Sequence, residues 1–314
     1  MDGFVSTVTD LAKNPVFGQL RDLGLSDVES VEEFMPRIRD AADIRVLRCQ
    51  RSGVLFLSEV RGYSETYAES NSNQTSSASD NKIIVHDGAI RREIVASRPA
   101  DDDRRIVSLL PFVRDKRWVD IGAGRGETIF GLGEKAAYTA AVEPDAVLRE
   151  RITKGGYDTF DDVESLPRDS SFEVATFMHV FEHLHAPVQT LRALLPHLMP
   201  GAVCLFEVRH ANDALLRHYD CPAYRVFSLG KQHILLHTKE SLRTYLEAAG
   251  LVDIQIASVQ RYPLANHLFW LSQGKPGGQL AWKHLTSPAL DAAYAETLAA
   301  ANMTDTLVAT GRRP

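Results

Sequence analysis

Apolar and charged positions alternate over Ile44-Arg-Val-Leu-Arg-Cys-Gln-Arg-Ser-Gly-Val-Leu-Phe-Leu57, the period-two signature of a strand pair turning at Ser52-Gly53. Val5 to Leu20 and Val28 to Ala42 instead carry apolar residues at helical spacing, so the first 62 or so residues read as a small separate unit of short helices and a hairpin. From Ser64 to Lys82 the chain is SETYAESNSNQTSSASDNK, which has almost nothing to bury and is expected to be a linker or a lid. After Arg98-Pro99 the pattern becomes regular. Trp118 to Ile121, Ala140 to Val142, Phe172 to Met178 and Ala202 to Val208 are apolar runs of strand length. Helical stretches follow them at about Glu127 to Lys135, Ala146 to Lys154 and Val188 to Met199. Strands alternating with helices of this length predict βαβ units and a parallel sheet, hence an α/β fold wound on both faces. Thr238 reads as the N-cap of a helix over Lys239 to Ala249, with Gly250 ending it and a strand following from Leu251 to Val259. The expected divisions are an accessory unit at 1–63, a linker or lid at 64–98, a main domain at 99–273 and a C-terminal extension at 274–314 holding one Ala-rich helix, Ala289 to Ala301.

The richest chemistry lies in Val119-Asp120-Ile121-Gly122-Ala123-Gly124-Arg125-Gly126-Glu127. Glycines after a strand permit a tight turn and close backbone approach, and the helix that follows offers free amides to a polar ligand. A dinucleotide fingerprint needs a glycine at position 127, where this chain has Glu127. A carboxylate there would repel a pyrophosphate, whereas Asp120 and Glu127 suit a ligand that carries an ammonium and no phosphate. A nicotinamide oxidoreductase is the rival that this spacing disfavours.

The motif D-x-G-x-G-x-G resembles the first motif of the class I S-adenosylmethionine-dependent methyltransferases, and further landmarks follow in that family's order. Glu143 ends the second strand 23 residues after Asp120, where the family has an acidic residue that holds both ribose hydroxyls. Asp162-Val-Glu-Ser-Leu-Pro167 is similar to the segment whose aspartate and next amide read the adenine edge. Phe172 to His183 resembles the fourth strand with its H-V-x-E-H continuation, and Leu198-Met-Pro-Gly201 precedes the fifth. The resemblance covers roughly residues 100–260. It implies a Rossmann-like, seven-stranded, mostly parallel sheet. It also implies S-adenosyl-L-methionine as cofactor, S-adenosyl-L-homocysteine as product, and a cofactor site built from Asp120, Gly122, Gly124, Gly126, Glu143, Pro144, Asp162, Val163 and His179.

Methyl transfer to a hydroxyl needs a group that takes the proton. His179, His210 and His233 are the candidates for that base: the first two follow strands and His233 precedes the next helix, on the side where parallel sheets bind ligands. His183 reads equally as a helix-start residue. His179-x-x-x-His183 lacks the Glu of a metalloprotease motif, and no metal site is expected. Cys49-Gln-Arg-Ser52-Gly53 looks like a degenerate form of a zinc-binding C-x-x-C-G module found in sugar-modifying relatives, with Ser52 in place of a ligand and no zinc predicted. Arg261 to Trp270 and Gly274 to Gly278 are similar to methyltransferases found with surface-polysaccharide genes, and Phe269 and Trp270 are expected in a last strand. The acceptor implied is a sugar or glycan hydroxyl. A cofactor-binding protein without catalysis and a C- or N-methyltransferase of a small metabolite are the alternatives.

Composition narrows the partners. With 35 Lys and Arg against 41 Asp and Glu the net charge is −6, which disfavours nucleic acid or an anionic membrane as the main partner. Three cysteines in 314 residues are too few and scattered for a disulfide framework, and no window is long and apolar enough for a membrane span. A reduced, cytoplasmic protein acting on a small-molecule or glycan acceptor is the expectation, and a homodimer is compatible with it.

Overall fold

Residues 11–13 are helical, and Asn14 starts the next helix of the computed structural model, which describes residues 11–62, 84–86, 89–91 and 100–314. Its side-chain oxygen accepts the amides of Val16 and Phe17, and Pro15 in the first turn has no amide to leave open. Helix α1 (Pro15–Asp22) buries Val16, Phe17 and Leu20. A capping box between Asp27 and Ser30 closes a single 3-10 turn, and the chain then enters β1 (Val31–Met35) rather than the helix expected to Ala42. Pro36 explains the difference, since its ring and missing amide forbid a helix across that position. The hairpin is present as β2 (Val46–Cys49) and β3 (Leu55–Leu57), turning through Gly53 at φ 74°. A short antiparallel pair, β4 (Ile84–His86) and β5 (Ala89–Arg91), is the described part of the expected linker; the rest of it, with residues 1–10, lies outside the described residues.

The main domain follows as α2 (Ala100–Val113), β6 (Arg117–Ile121), α3 (Glu127–Leu132), β7 (Tyr138–Val142), α4 (Ala146–Lys154), β8 (Asp158–Phe160) and β9 (Phe172–Met178). It continues through α5 (Pro187–Leu194), β10 (Leu198–Arg209), α6 (Pro222–Ser228), β11 (Leu235–Leu236), α7 (Lys239–Ala249) and β12 (Val252–Val259). The C-terminal segment adds α8 (Leu264–Gln273), α9 (Gly278–Ala281), α10 (Pro288–Ala300) and β13 (Thr306–Arg312). Seven strands form one sheet in the order β12-β13-β10-β9-β6-β7-β8. From β10 to β8 all neighbours are parallel, and β13 alone runs against both β10 and β12.

Alternate strand residues supply two cores. Trp118, Ala141, Val174 and Leu205 pack with Leu109 of α2, Ile129 of α3 and Ile152 of α4. Val119, Val142, Phe177 and Phe206 join Leu191 of α5 and Leu242 of α7 in the opposite core. Helices on both faces make this the doubly wound α/β fold that the alternation predicts.

Four further expectations are corrected. The N-terminal unit is not separate: β3 pairs with β11, and Phe17, Leu47 and Phe56 belong to the same core as the sheet's second face. The segment at 274–314 is not an appendage, because β13 is inserted between two strands of the main sheet, with Leu307 and Ala309 fully buried. Phe269 and Trp270 lie on α8, where Trp270 packs against Tyr224 and Phe227. The helix expected to reach Met199 stops at Leu194, as Pro196 cannot continue it, and β10 begins at Leu198. Among the described residues no helix is long and apolar enough to cross a membrane.

Candidate active site

The carboxyl ends of β6, β7, β8 and β9 open onto a cavity of about 630 Å³. Asp120, Gly122, Gly124, Glu143, Pro144, Asp162, Val163 and His179 all line it. Gly126 does not; it sits at the base of the loop, packed against Ile152 and Phe130.

The loop after β6 can only be built from glycine. Gly122 has φ 67°, and a Cβ there would lie 2.4 Å from Val180 Cγ2, so the segment after β9 closes directly over it. Gly124 has φ 55°, but a Cβ there meets nothing within 4 Å: it faces open space at the cavity wall. The amides of Gly122 and Ala123 both donate to the Val142 carbonyl, at 2.7 and 3.1 Å, which ties the loop to the end of β7.

Asp120 is 3% exposed. Its Oδ1 accepts the Thr176 hydroxyl at 2.5 Å, and Thr176 accepts the Trp118 indole N–H at 2.8 Å. Burial outweighs that hydrogen bond and pushes the carboxyl up to about 7. Glu143 ends β7 and accepts two backbone amides, Gly124 at 2.7 Å and Asp145 at 2.9 Å. Burial again raises its pKa. Asp145 caps α4 through Val147 and Leu148. Beyond β8, Asp162 Oδ1 accepts the Ser165 amide at 2.7 Å while Asp161 accepts the Ser165 hydroxyl at 2.6 Å, which fixes the turn carrying the buried Val163. The residues present fit an adenosyl group with an amino-acid tail: Asp120, Glu143, Asp161 and Asp162 supply carboxylates to the lining, and Gly124 leaves room at its wall.

His179 has φ 56°, uncommon for a residue with a Cβ. Its amide donates to the Glu207 carbonyl at 2.7 Å. Nδ1 lies 2.8 Å from Glu182 Oε1, and Nε2 lies 3.1 Å from Glu207 Oε1 and 3.2 Å from Arg261 Nη1. Arg104 and Arg105 from α2 also clasp Glu207, at 2.7 and 3.0 Å. These partners hold the Glu207 carboxylate far below its usual range despite burial. His179 likewise lowers Glu182 to about 2.

Both ring nitrogens of His179 are therefore engaged. His210 is 1% exposed, bonded through Nδ1 to the Thr304 carbonyl at 2.9 Å, and does not line the cavity. His233 does not line it either, but its ring stands 5.1 Å from that of His183, which does. Burial drives His183 to about 4 and His233 well below its ordinary value, so both imidazoles are neutral.

Sequence reasoning missed Asp102 and Arg105, which reach the cavity from α2, and Gln232. Nothing in Asp101-Asp-Asp-Arg-Arg105 distinguishes these residues from an exposed charged helix start. No cluster of three or more metal-ligating side chains occurs among the described residues.

A family model described as a methyltransferase domain matches residues 93–256. A tRNA U34 carboxymethyltransferase of Desulfotalea psychrophila is 31% identical over 117 residues, 34% of this chain, and the match spans 36% of that relative's length. Among solved structures, a SAM-dependent methyltransferase from Archaeoglobus fulgidus is 17% identical with a TM-score of 0.49, covering 69% of this chain and 95% of that one. A methyltransferase from Mesorhizobium loti has a TM-score of 0.44 at 17% identity, covering 68% and 100% of the two chains.

Proposed function

The chain belongs to the methyltransferase-domain family, and from that premise we propose that it transfers the methyl group of S-adenosyl-L-methionine to a hydroxyl of a small polar acceptor, releasing S-adenosyl-L-homocysteine. The observation that carries the reading is the convergence of Asp120, the glycine loop, Glu143 and Asp162 on one cavity at the carboxyl ends of parallel strands. When bound, the cofactor supplies a methyl already activated on a sulfonium, so the protein's work is alignment and exclusion of water. Each Glu143 oxygen accepts one amide and keeps a lone pair, enough to receive two ribose hydroxyls. Asp162 and the Val163 amide face the adenine end, and Asp120 the ammonium.

Acceptor chemistry falls to the opposite wall. His179, held by two glutamates, positions that wall rather than receiving a proton. The neutral His183 ring, backed by His233, is the group placed to take the acceptor proton, and the ionised Glu182 favours that gain. The acceptor class we favour is a sugar or glycan precursor, on the sequence resemblance to polysaccharide-associated enzymes.

Calorimetric titration with S-adenosyl-L-homocysteine beside NADH tests the cofactor. One-to-one binding of the first and none of the second is expected; NADH binding alone would overturn the reading. Turnover with labelled cofactor on sugar and nucleotide-sugar panels, with tRNA as a separate arm, tests the acceptor. Transfer to tRNA and to no sugar would replace the sugar reading.

A further inference from the structure

We propose that the N-terminal unit builds the acceptor wall of the cavity by holding the turn at residues 230–233, from which the Gln232 side chain hydrogen-bonds a vicinal pair of hydroxyls on the acceptor; this rests on the methyl-transfer reading above. Gln232 lines the cavity together with His183, His185 and Thr190. Its side-chain amide makes no hydrogen bond among the described residues. A primary amide donates from one atom and accepts at its neighbour, which complements two adjacent hydroxyls. The next residue is His233, whose ring stands 5.1 Å from that of His183. One turn therefore supplies both the recognition amide and the support of the group that takes the acceptor proton.

Residues of the N-terminal unit hold this turn on both flanks. Inside it, the His233 amide donates to the Gly230 carbonyl at 3.0 Å. Before it, the Arg39 amide donates to the Leu229 carbonyl at 3.0 Å and Arg39 Nη1 to the Phe227 carbonyl at 3.1 Å. The Lys231 amide donates to Asp40 Oδ1 at 3.0 Å. After it, the Leu57 amide donates to the Ile234 carbonyl at 3.1 Å, and β11 pairs with β3. Glycine at 230 lets this clamp approach, since a Cβ there would stand 2.8 Å from Arg39 Nη2 and 3.1 Å from Asp40 Oδ2.

A second lining segment is gripped from the same unit. Gln19 of α1 donates through Nε2 to the His185 carbonyl at 2.6 Å, and His185 lines the cavity. Two segments far apart in sequence, one after β9 and one before β11, thus reach the cavity with the N-terminal unit as their common support. Loops that carry function depend on the scaffold that positions them, and here the helix and hairpin of residues 11–62 are part of that scaffold.

The test takes the full chain, alone and saturated with S-adenosyl-L-homocysteine, and uses methyl α-D-glucopyranoside as probe, its binding read by saturation-transfer NMR. Gln232→Ala should weaken the glucoside by about fivefold or more, the scale of a lost hydrogen bond. Asp40→Ala, at an exposed position, should weaken it by a similar factor. Asp40→Asn keeps an oxygen for the Lys231 amide and should restore it. Affinity for S-adenosyl-L-homocysteine, read by calorimetry, should stay within about twofold in all three variants, well inside the effect of one lost hydrogen bond. Asp22→Ala, at an exposed acid of α1 outside the clamp, should change neither ligand. No glucoside binding by the wild type, equal binding in every variant, or an Asp40→Ala protein that matches the wild type overturns the proposal and leaves the cofactor reading intact. Glucoside binding that depends on Gln232 and Asp40, in a protein that binds no S-adenosyl-L-homocysteine, keeps the acceptor wall and overturns methyl transfer.

Discussion

The Glu143 carboxylate accepts the Gly124 amide at 2.7 Å and so binds the end of β7 to the glycine loop after β6. One side chain thus shapes the loop and faces the cavity. Glu143→Ala removes both functions, and S-adenosyl-L-homocysteine affinity should fall by at least about tenfold, the scale of a lost hydrogen bond to a charged group. Glu143→Gln should lose less, because its carbonyl still accepts one amide while its NH2 opposes the other. Calorimetry on the three proteins decides: equal affinities would remove Glu143 from the site.

Asp120 carries a pH signature. Its folded pKa, about 7, lies above the ordinary value of 3.8. Below pH 4 the carboxyl is protonated in both states and costs nothing. Between pH 4 and 7 the unfolded chain ionises first, so stability falls as pH rises, and above 7 the loss is complete. Three pKa units correspond to about 4 kcal/mol, an upper bound. Asp120→Asn keeps an acceptor for Thr176 and removes Asp120's share of the slope, leaving that of the other raised carboxyls, Glu143 and Asp213. Urea denaturation should show the variant near parity at pH 4 and more stable by up to that amount at pH 8, though binding the ammonium-bearing cofactor less well. A variant with the wild-type pH slope would contradict this account.

His179→Ala should damage stability before it damages chemistry. Glu207 keeps Arg104 and Arg105, but Glu182 is 0% exposed and, among the described residues, its carboxylate retains the Arg209 amide as its hydrogen-bond donor. Removing the hydrogen-bond partner of a buried carboxylate costs about 1–3 kcal/mol or more. Glu182 has a depressed pKa, so the stability it contributes is present above its unfolded value and lost as pH falls through the folded one. In the variant that carboxyl protonates more readily, and the gap to wild type should narrow from pH 7 towards pH 5. Thermal melts across that range measure it, and a constant gap would point to packing alone.

The alternation of strands and helices and the glycine-loop cluster proposed to hold the cofactor were legible because their physics is local. Asp120, Gly122 and Gly124 form a turn that only glycine permits, and Glu143 and Asp162 sit at fixed distances from it along strand and loop. The His183–His233 ring pair was not legible, because it is assembled from distant segments: His183 follows β9 and His233 precedes β11. The base candidates show the difference. His210 has the right place after a strand, but its ring turns to the Thr304 carbonyl in a loop 94 residues away, a contact that no local pattern announces. The N-terminal unit read as separate for the same reason, since β3 finds its partner β11 far along the chain.

The C-terminal strand is the sharpest case, and it yields a stability prediction. Thr306-Leu-Val-Ala-Thr-Gly-Arg312 alternates weakly and carries a glycine, so its sequence alone does not place it inside a sheet. Yet it pairs with β10 over seven positions and separates β10 from β12. Leu307 is fully buried there, whereas Leu290, on α10 of the same segment, is 41% exposed. Were 274–314 an appendage, truncating either leucine would matter little. Because β13 is part of the core, Leu307→Ala should cost about 2–5 kcal/mol, as a large-to-small core change does. Leu290→Ala should stay within about 0.5 kcal/mol. Urea denaturation of the two variants separates the cases, and equal midpoints would mean that β13 is not part of the cooperative core.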